Sequence, residues 1–199
     1  MDYTNQLVLT GAIDEVGAPI RTNSGSSYRL GVELDLSWIM SEQWKWQSNL
    51  SLSENKNRDF FFKRDGKLQA LGDTNLSFSP NLVGGSQLGY SPTKDLTVSL
   101  FSKYVGEQYL GNIDSALSKL AAYSIQDINI QYTIASSWCE SLQLKLLLNN
   151  VLDEEYTSNG YFYTYDDDWT NFDMITTIEG VGYYPQAGFH FLAGMTIRF

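Results

Sequence analysis

Cysteine is almost missing from this chain: Cys139 stands alone among 199 residues. No internal disulfide or cysteine-based metal cage can form, and Cys139 reads as an incidental thiol. Positive charge is scarce as well. Thirteen Lys and Arg face 23 Asp and Glu, a net charge of −10, which excludes nucleic acid as a partner because a phosphate backbone needs cations to displace its counterions. No apolar run reaches the roughly 18 residues of a membrane-spanning helix. Histidine occurs once, as His190. A lone imidazole without partner ligands points to a structural hydrogen bond, so neither a metal site nor a cofactor is expected. Nucleophile–base pairs and glycine-rich phosphate loops are missing too, and no enzyme is read here. Finally, Met1-Asp2-Tyr3-Thr4-Asn5-Gln6 has neither a basic start nor an apolar stretch, so no secretory leader opens the chain.

What the chain has is aromatic residues (13 Tyr, 10 Phe, 5 Trp) and alternation. In Tyr28–Trp38 the residues Tyr28, Leu30, Val32, Leu34, Leu36 and Trp38 alternate with Arg29, Gly31, Glu33, Asp35 and Ser37. Period two puts the two sets on opposite faces of a strand. The pattern returns in Trp44–Ser53, in Asp127–Ile134 and in Leu142–Asn149, where Leu147 is the exception. It closes the chain in Phe189–Phe199 and is weaker in Tyr3–Thr10, Asn81–Tyr90 and Leu96–Tyr109. The expected fold is all-β: an antiparallel meander of about eight strands, each near the 9–11 residues that cross a bilayer.

Connections alternate in length. Trp38 to Trp44, Tyr90 to Leu96 and Ile134 to Leu142 are short, whereas Gly11–Ser27, Lys56–Pro80, Gly111–Ala122 and Asp153–Ala187 are long. Short turns on one side and long loops on the other are the pattern of a transmembrane β-barrel in a bacterial outer membrane. Eight strands would start and end the chain on the short-turn, periplasmic side. Trp38, Trp44, Trp46 and Trp138 gather at that side, as an interfacial girdle in contact with outer-membrane lipid would. The polar faces, rich in Asn, Gln, Ser and Thr, suit a wet lumen, and Arg29, Glu33, Asp35, Lys45, Lys103 and His190 are expected to face it. A soluble barrel carrying a lipophile shares the period but would turn its apolar face inward. A small autonomous eight-stranded barrel, adhesive or structural, is the other alternative.

The last residues, Gly194-Met195-Thr196-Ile197-Arg198-Phe199, resemble the signal by which outer-membrane proteins engage the barrel-assembly machinery. In that reading Gly194, Ile197 and Phe199 carry the assembly signal. Asn150-Val151-Leu152-Asp153-Glu154-Glu155-Tyr156 is similar to a motif near the end of TonB-dependent receptors. Gly160-Tyr161 and Tyr184-Pro185-Gln186-Ala187-Gly188 resemble the last loop of Bacteroidetes-type members, and Arg29-Leu30-Gly31-Val32-Glu33-Leu34 their Gly-x-Glu strand. One departure stands out: Phe189 follows Gly188 where many relatives carry an arginine. The resemblance implies TonB-energised uptake through a barrel of about 22 strands enclosing a plug. Ferric siderophores, haem, cobalamin or glycans are the usual cargoes. Residues 1–199 would then be the C-terminal part of that barrel, with the plug domain, the remaining strands and the TonB-contacting segment lying outside them.

The segment 153–186 combines Asp153, Glu154, Glu155, Asp166, Asp167, Asp168, Asp173 and Glu179 with interleaved tyrosines and no Lys or Arg. Tyr161, Tyr163, Tyr165, Asp166, Asp168 and Trp169 are the candidates for contact with a small-molecule or metal-chelate ligand, rings stacking and carboxylates supplying charge. A solvated acidic loop is the plainer reading. Asp166-Asp167-Asp168 lacks the spacing and turn glycine of a calcium loop.

The reading of the C-terminus has a direct test. Replacing Phe199 by Asp in the full-length parent should impair outer-membrane insertion while export continues, seen as loss of heat-modifiable gel mobility; unchanged mobility would count against the assignment.

Overall fold

A computed structural model describes residues 1–13, 19–23 and 25–199. Its strands are β1 (Asp2–Thr4), β2 (Leu7–Ile13), β3 (Pro19–Asn23), β4 (Ser26–Ile39), β5 (Trp44–Arg64), β6 (Lys67–Asn75), β7 (Leu82–Tyr90) and β8 (Leu96–Val105). They continue as β9 (Gln108–Tyr109), β10 (Lys119–Leu120), β11 (Tyr123–Ile134), β12 (Ser141–Asn149), β13 (Thr157–Asp167), β14 (Thr176–Pro185) and β15 (His190–Arg198). No described helix is long and apolar enough to cross a membrane, so any crossing is by strands.

The main sheet runs β1-β4-β5-β7-β8-β11-β12-β15, every neighbour antiparallel. Seven of these are long, and they are the expected meander. Register turns the alternation into faces. Asp35 pairs with Asn49, Asn49 with Gly85, Gly85 with Lys103 and Lys103 with Ile125. Leu34, Leu50, Gly84 and Tyr104 form the adjacent row of the other face. The sheet curls around the polar side: Asp35, Gln47, Asn49, Gln87, Lys103 and Asp127 border a concavity of about 750 Å³. Leu30, Val32, Leu34 and Leu36 stay exposed on the apolar side. A soluble lipophile carrier would need the reverse, and that alternative falls. At the short-turn end Trp44 stacks on Tyr90 at 4.3 Å, and Trp138 meets Phe199 edge-on at 6.1 Å.

Two expectations change. Tyr3–Thr10 is not one membrane-crossing strand. Asn5 takes φ 56°, a left-handed conformation that Asn tolerates better than most residues, and the chain breaks there. Only β1 joins the sheet, its Asp2–Thr4 against Ser26–Tyr28, while β2 leaves to pair with β3. Met1 therefore lies beside Arg29, toward the long-loop end of β4, and not on the short-turn side. Among the described residues nothing pairs with the edge of β4 beyond that point or with the free edge of β15. The sheet is open.

The long connections 56–80 and 153–187 are also more ordered than loops, and part of the connection Gly11–Ser27 lies outside the described residues. Strand β5 runs 21 residues, roughly 70 Å at about 3.3 Å per residue, more than twice a hydrocarbon core of about 30 Å. It pairs with β7 over Trp44–Leu52 and with β6 over Lys56–Arg64. Segment 153–187 folds as the β13–β14 hairpin. The conventional core lies among these projecting pieces: Val8, Phe60, Phe62, Leu76 and Ile113, with Leu71 and Phe162 packed on it. A left-handed Asp59 (φ 46°) and a register shift between Asn57 and Phe60 make a β-bulge in β5. Past it, Phe60 and Phe62 meet Ile113 on the side where Asn57 donates to Asn112. That is the concave side, so the hairpins fold inward over the mouth.

Cysteines at Ser41 and Thr93 should react only with periplasmic probes, and one at Asp167 with external probes. Labelling at Ser41 on intact cells would overturn the orientation.

Candidate functional site

Alternation splits the β13–β14 hairpin into two chemical faces. Gly160, Phe162 and Thr164 point toward the core: Thr164 is buried, and a Cβ on Gly160 would press on Leu110. Tyr161, Tyr163 and Tyr165 take the opposite face. Their partners across the ladder are Gly182, Gly180 and Ile178. A Cβ on Gly182 would fall 2.3 Å from the Tyr161 ring, and one on Gly180 the same distance from Tyr163. The rings thus fill the space a side chain would take, as aromatics do when they cover strand glycines.

The result is a row of rings. Tyr161 and Tyr163 have centroids 6.2 Å apart with planes 20° apart; Tyr163 and Tyr165 are at 6.4 Å and 14°. Trp169 extends the row at 5.8 Å and 5° from Tyr165, and Tyr184 flanks Tyr161 at 6.0 Å. Tyr161, Tyr165, Trp169 and Tyr184 stay exposed. Trp169 owes its position to a turn: its amide and that of Thr170 donate to the Asp167 carboxylate. Bonds from Thr170, backbone first, hold the Asp167 carboxyl below its usual range. The folded form is therefore favoured at neutral pH, and that contribution fades as pH falls through the lowered pKa.

The candidate acids divide. Asp166 lies on the inner face, accepts from Thr177 at 2.8 Å and pairs with Lys63 at 3.5 Å. Asp168 is exposed beside Trp169. Lys63 and Arg64 come from the tip of β5, so cations far away in sequence serve a segment that has none of its own. Arg64 pairs with Glu179 at 2.5 Å, and Ser115 donates to the other oxygen of the same carboxylate. Asp65 and Thr177 exchange two further hydrogen bonds, of 2.7 and 2.8 Å. Glu179 thus joins three external segments. Sequence reading missed this junction because its members lie 64 and 115 positions apart.

Asn150, quoted above only for its resemblance, is a clamp. It is buried at φ 48°; its amide donates to Asp127, its side chain donates to the carbonyls of Glu154 and Ala187 and accepts from the amide of Glu154. Asp153 accepts from the amide of Phe189, in a space open only because Gly188 lacks a Cβ. The motif fastens both ends of the hairpin to the sheet.

The lumen candidates share the concave face by register. Arg29 donates to Asn55 and Ser79, and His190 donates from Nδ1 to the Gly188 carbonyl at 2.9 Å. Glu33, Asp35, Lys45 and Lys103 join none of the four ion pairs among the described residues. Gly194 is on the concave face beside Lys145, Ile197 on the apolar face beside Leu142, and Phe199 is 88% exposed.

Comparison with known proteins agrees with this geometry. The family model described as TonB dependent receptor-like, beta-barrel matches residues 1–151. Among solved structures, the copper transporter OprC aligns with TM-score 0.66 and 19% identity over 98% of this chain and 27% of its own. The ferric-catecholate import receptor Fiu of E. coli K12, in its closed form, aligns with TM-score 0.63 and 17% identity over 100% and 24%. The siderophore receptor PiuA of Acinetobacter baumannii gives 0.62 and 17% over 98% and 25%. These likenesses show the fold, and this chain spans about a quarter of each receptor's length. No curated protein sequence matches it.

Asn150→Ala removes three side-chain bonds at a buried position and should destabilise the barrel by about 2–4 kcal/mol. The readout is a lower temperature for loss of the compact gel form by the full-length receptor; an unchanged transition would show the clamp to be dispensable.

Proposed function

Because this chain belongs to the TonB dependent receptor-like β-barrel family, we propose that it is the C-terminal part of an outer-membrane receptor that takes up a scarce nutrient such as a ferric siderophore, haem or another metal chelate. The observation that carries the reading is the inward-folded β13–β14 hairpin. One face is anchored to β5 through Lys63 and Arg64, and the other carries a row of exposed rings, while the main sheet curls around a polar concavity. Stacking surfaces over a wet lumen suit capture of a planar, metal-bearing ligand before passage.

Several partners follow from this reading: outer-membrane lipid along the apolar face, a plug and further strands completing the barrel, TonB engaging the part beyond this chain, and the barrel-assembly machinery at Gly194, Ile197 and Phe199. The unpaired edges of β4 and β15 tell against an autonomous eight-stranded barrel, because open ladders invite pairing with other strands.

A strain lacking the parent gene should lose uptake of iron-55 offered as ferric complexes under iron limitation. A strain with the receptor but without TonB should lose it equally. Full uptake in both would overturn the metal-chelate reading.

A further inference from the structure

We infer that the ring row Tyr161, Tyr163, Tyr165 and Trp169 is a binding site for a planar organic cation, which it prefers over a planar anion. This deepens the receptor reading above and rests on it for the location of the site.

The first support is that the surface is built for exposure. The glycines opposite Tyr161 and Tyr163 leave room for the rings to lean across the ladder, and the planes of adjacent rings from Tyr161 to Trp169 stay within 20° of each other. Phe162, between them, goes to the core, so the hairpin does not need the tyrosines for burial.

The second support is charge. The faces of Tyr and Trp rings carry negative potential and attract cations. Segment 153–186 has eight carboxylates and no Lys or Arg. The two cations that the structure pairs with the hairpin, Lys63 and Arg64, act on its inner face and are committed to Asp166 and Glu179. Exposed Asp168 stands next to Trp169 at the end of the row. A ligand of net negative charge would meet the carboxylates of this segment, Asp168 first, whereas a flat cation meets both π faces and carboxylate. The exposed cation on the same face of this sheet, Arg21, lies on β3, two strands from the rings.

The test uses the full-length receptor in detergent with three probes: thioflavin T as a planar cation, anilinonaphthalene sulfonate as a planar anion and maltoheptaose as a neutral competitor. Thioflavin T should bind about tenfold or more tightly than the anion, and Trp169→Leu should weaken it by a similar factor. Asp168→Lys should weaken the cation and leave the anion unchanged or improved. Because Trp169 and Asp168 lie on the surface beyond β13, their variants keep the clamp and the core, and retained heat-modifiable mobility verifies this. Equal or tighter binding of the anion, insensitivity to Trp169→Leu, or displacement by maltoheptaose at lower concentration than by a cation would each overturn the inference. Uptake of an anionic chelate in preference to a cationic one by the intact receptor would overturn charge selection and keep the receptor reading. Cation binding by a protein that never reaches the outer membrane would do the opposite.

Discussion

The architecture depends on one strand having two partners on the same edge. Along β5, the ladder to β7 holds the half that lies among apolar, outward-facing residues, and the ladder to β6 holds the half that projects beyond. Within lipid every backbone amide and carbonyl must find its partner in the sheet, since no water is there to replace it. Beyond lipid the demand changes: side chains can gather into a water-excluding core. The bulge at Asp59 marks that change of solvent. Below it apolar side chains point away from the concavity; above it Phe60 and Phe62 point in.

Two kinds of fastening keep the projecting hairpins in place. Asn150 and Asp153 use short polar reach, turning each hydrogen-bonding group of a tight left-handed corner to backbone that would otherwise be unsatisfied. Glu179 uses charge: Arg64 and Ser115 converge on it, with its side chain only 13% exposed. A carboxylate so enclosed is costly to leave without its cation, so the three segments it joins hold or loosen together.

The membrane half was legible in the sequence because its period is fixed by geometry. Leu142–Leu148 against Phe191–Ile197 shows the alternation nearly without fault, and register follows from it. The projecting half was not. Phe60-Phe61-Phe62 carries no alternation, and the residue that resets the phase, Asp59, looks like any surface acid. Tyr3–Thr10 has the alternation but breaks at Asn5, where local backbone preference wins over pattern. For the site, the tyrosines were legible as a group and Asp166 was misgrouped with them, because proximity in sequence hides the two sides of a strand. The Gly180-Val181-Gly182 alternation was the signal that could have paired β14 with Tyr161 and Tyr163.

That pairing ties the hereditary fate of residues on two strands. A side chain gained at Gly180 collides with the Tyr163 ring, and loss of that ring bares a glycine-weakened strand. Each change is harmful alone, and the two together can be neutral, so their effects are strongly non-additive. A lineage changing what its hairpin presents to the outside would have to alter both members of a pair nearly at once. The ring surface is thereby buffered against gradual drift, while the exposed residues around Phe172 and Met174 remain free to vary one at a time.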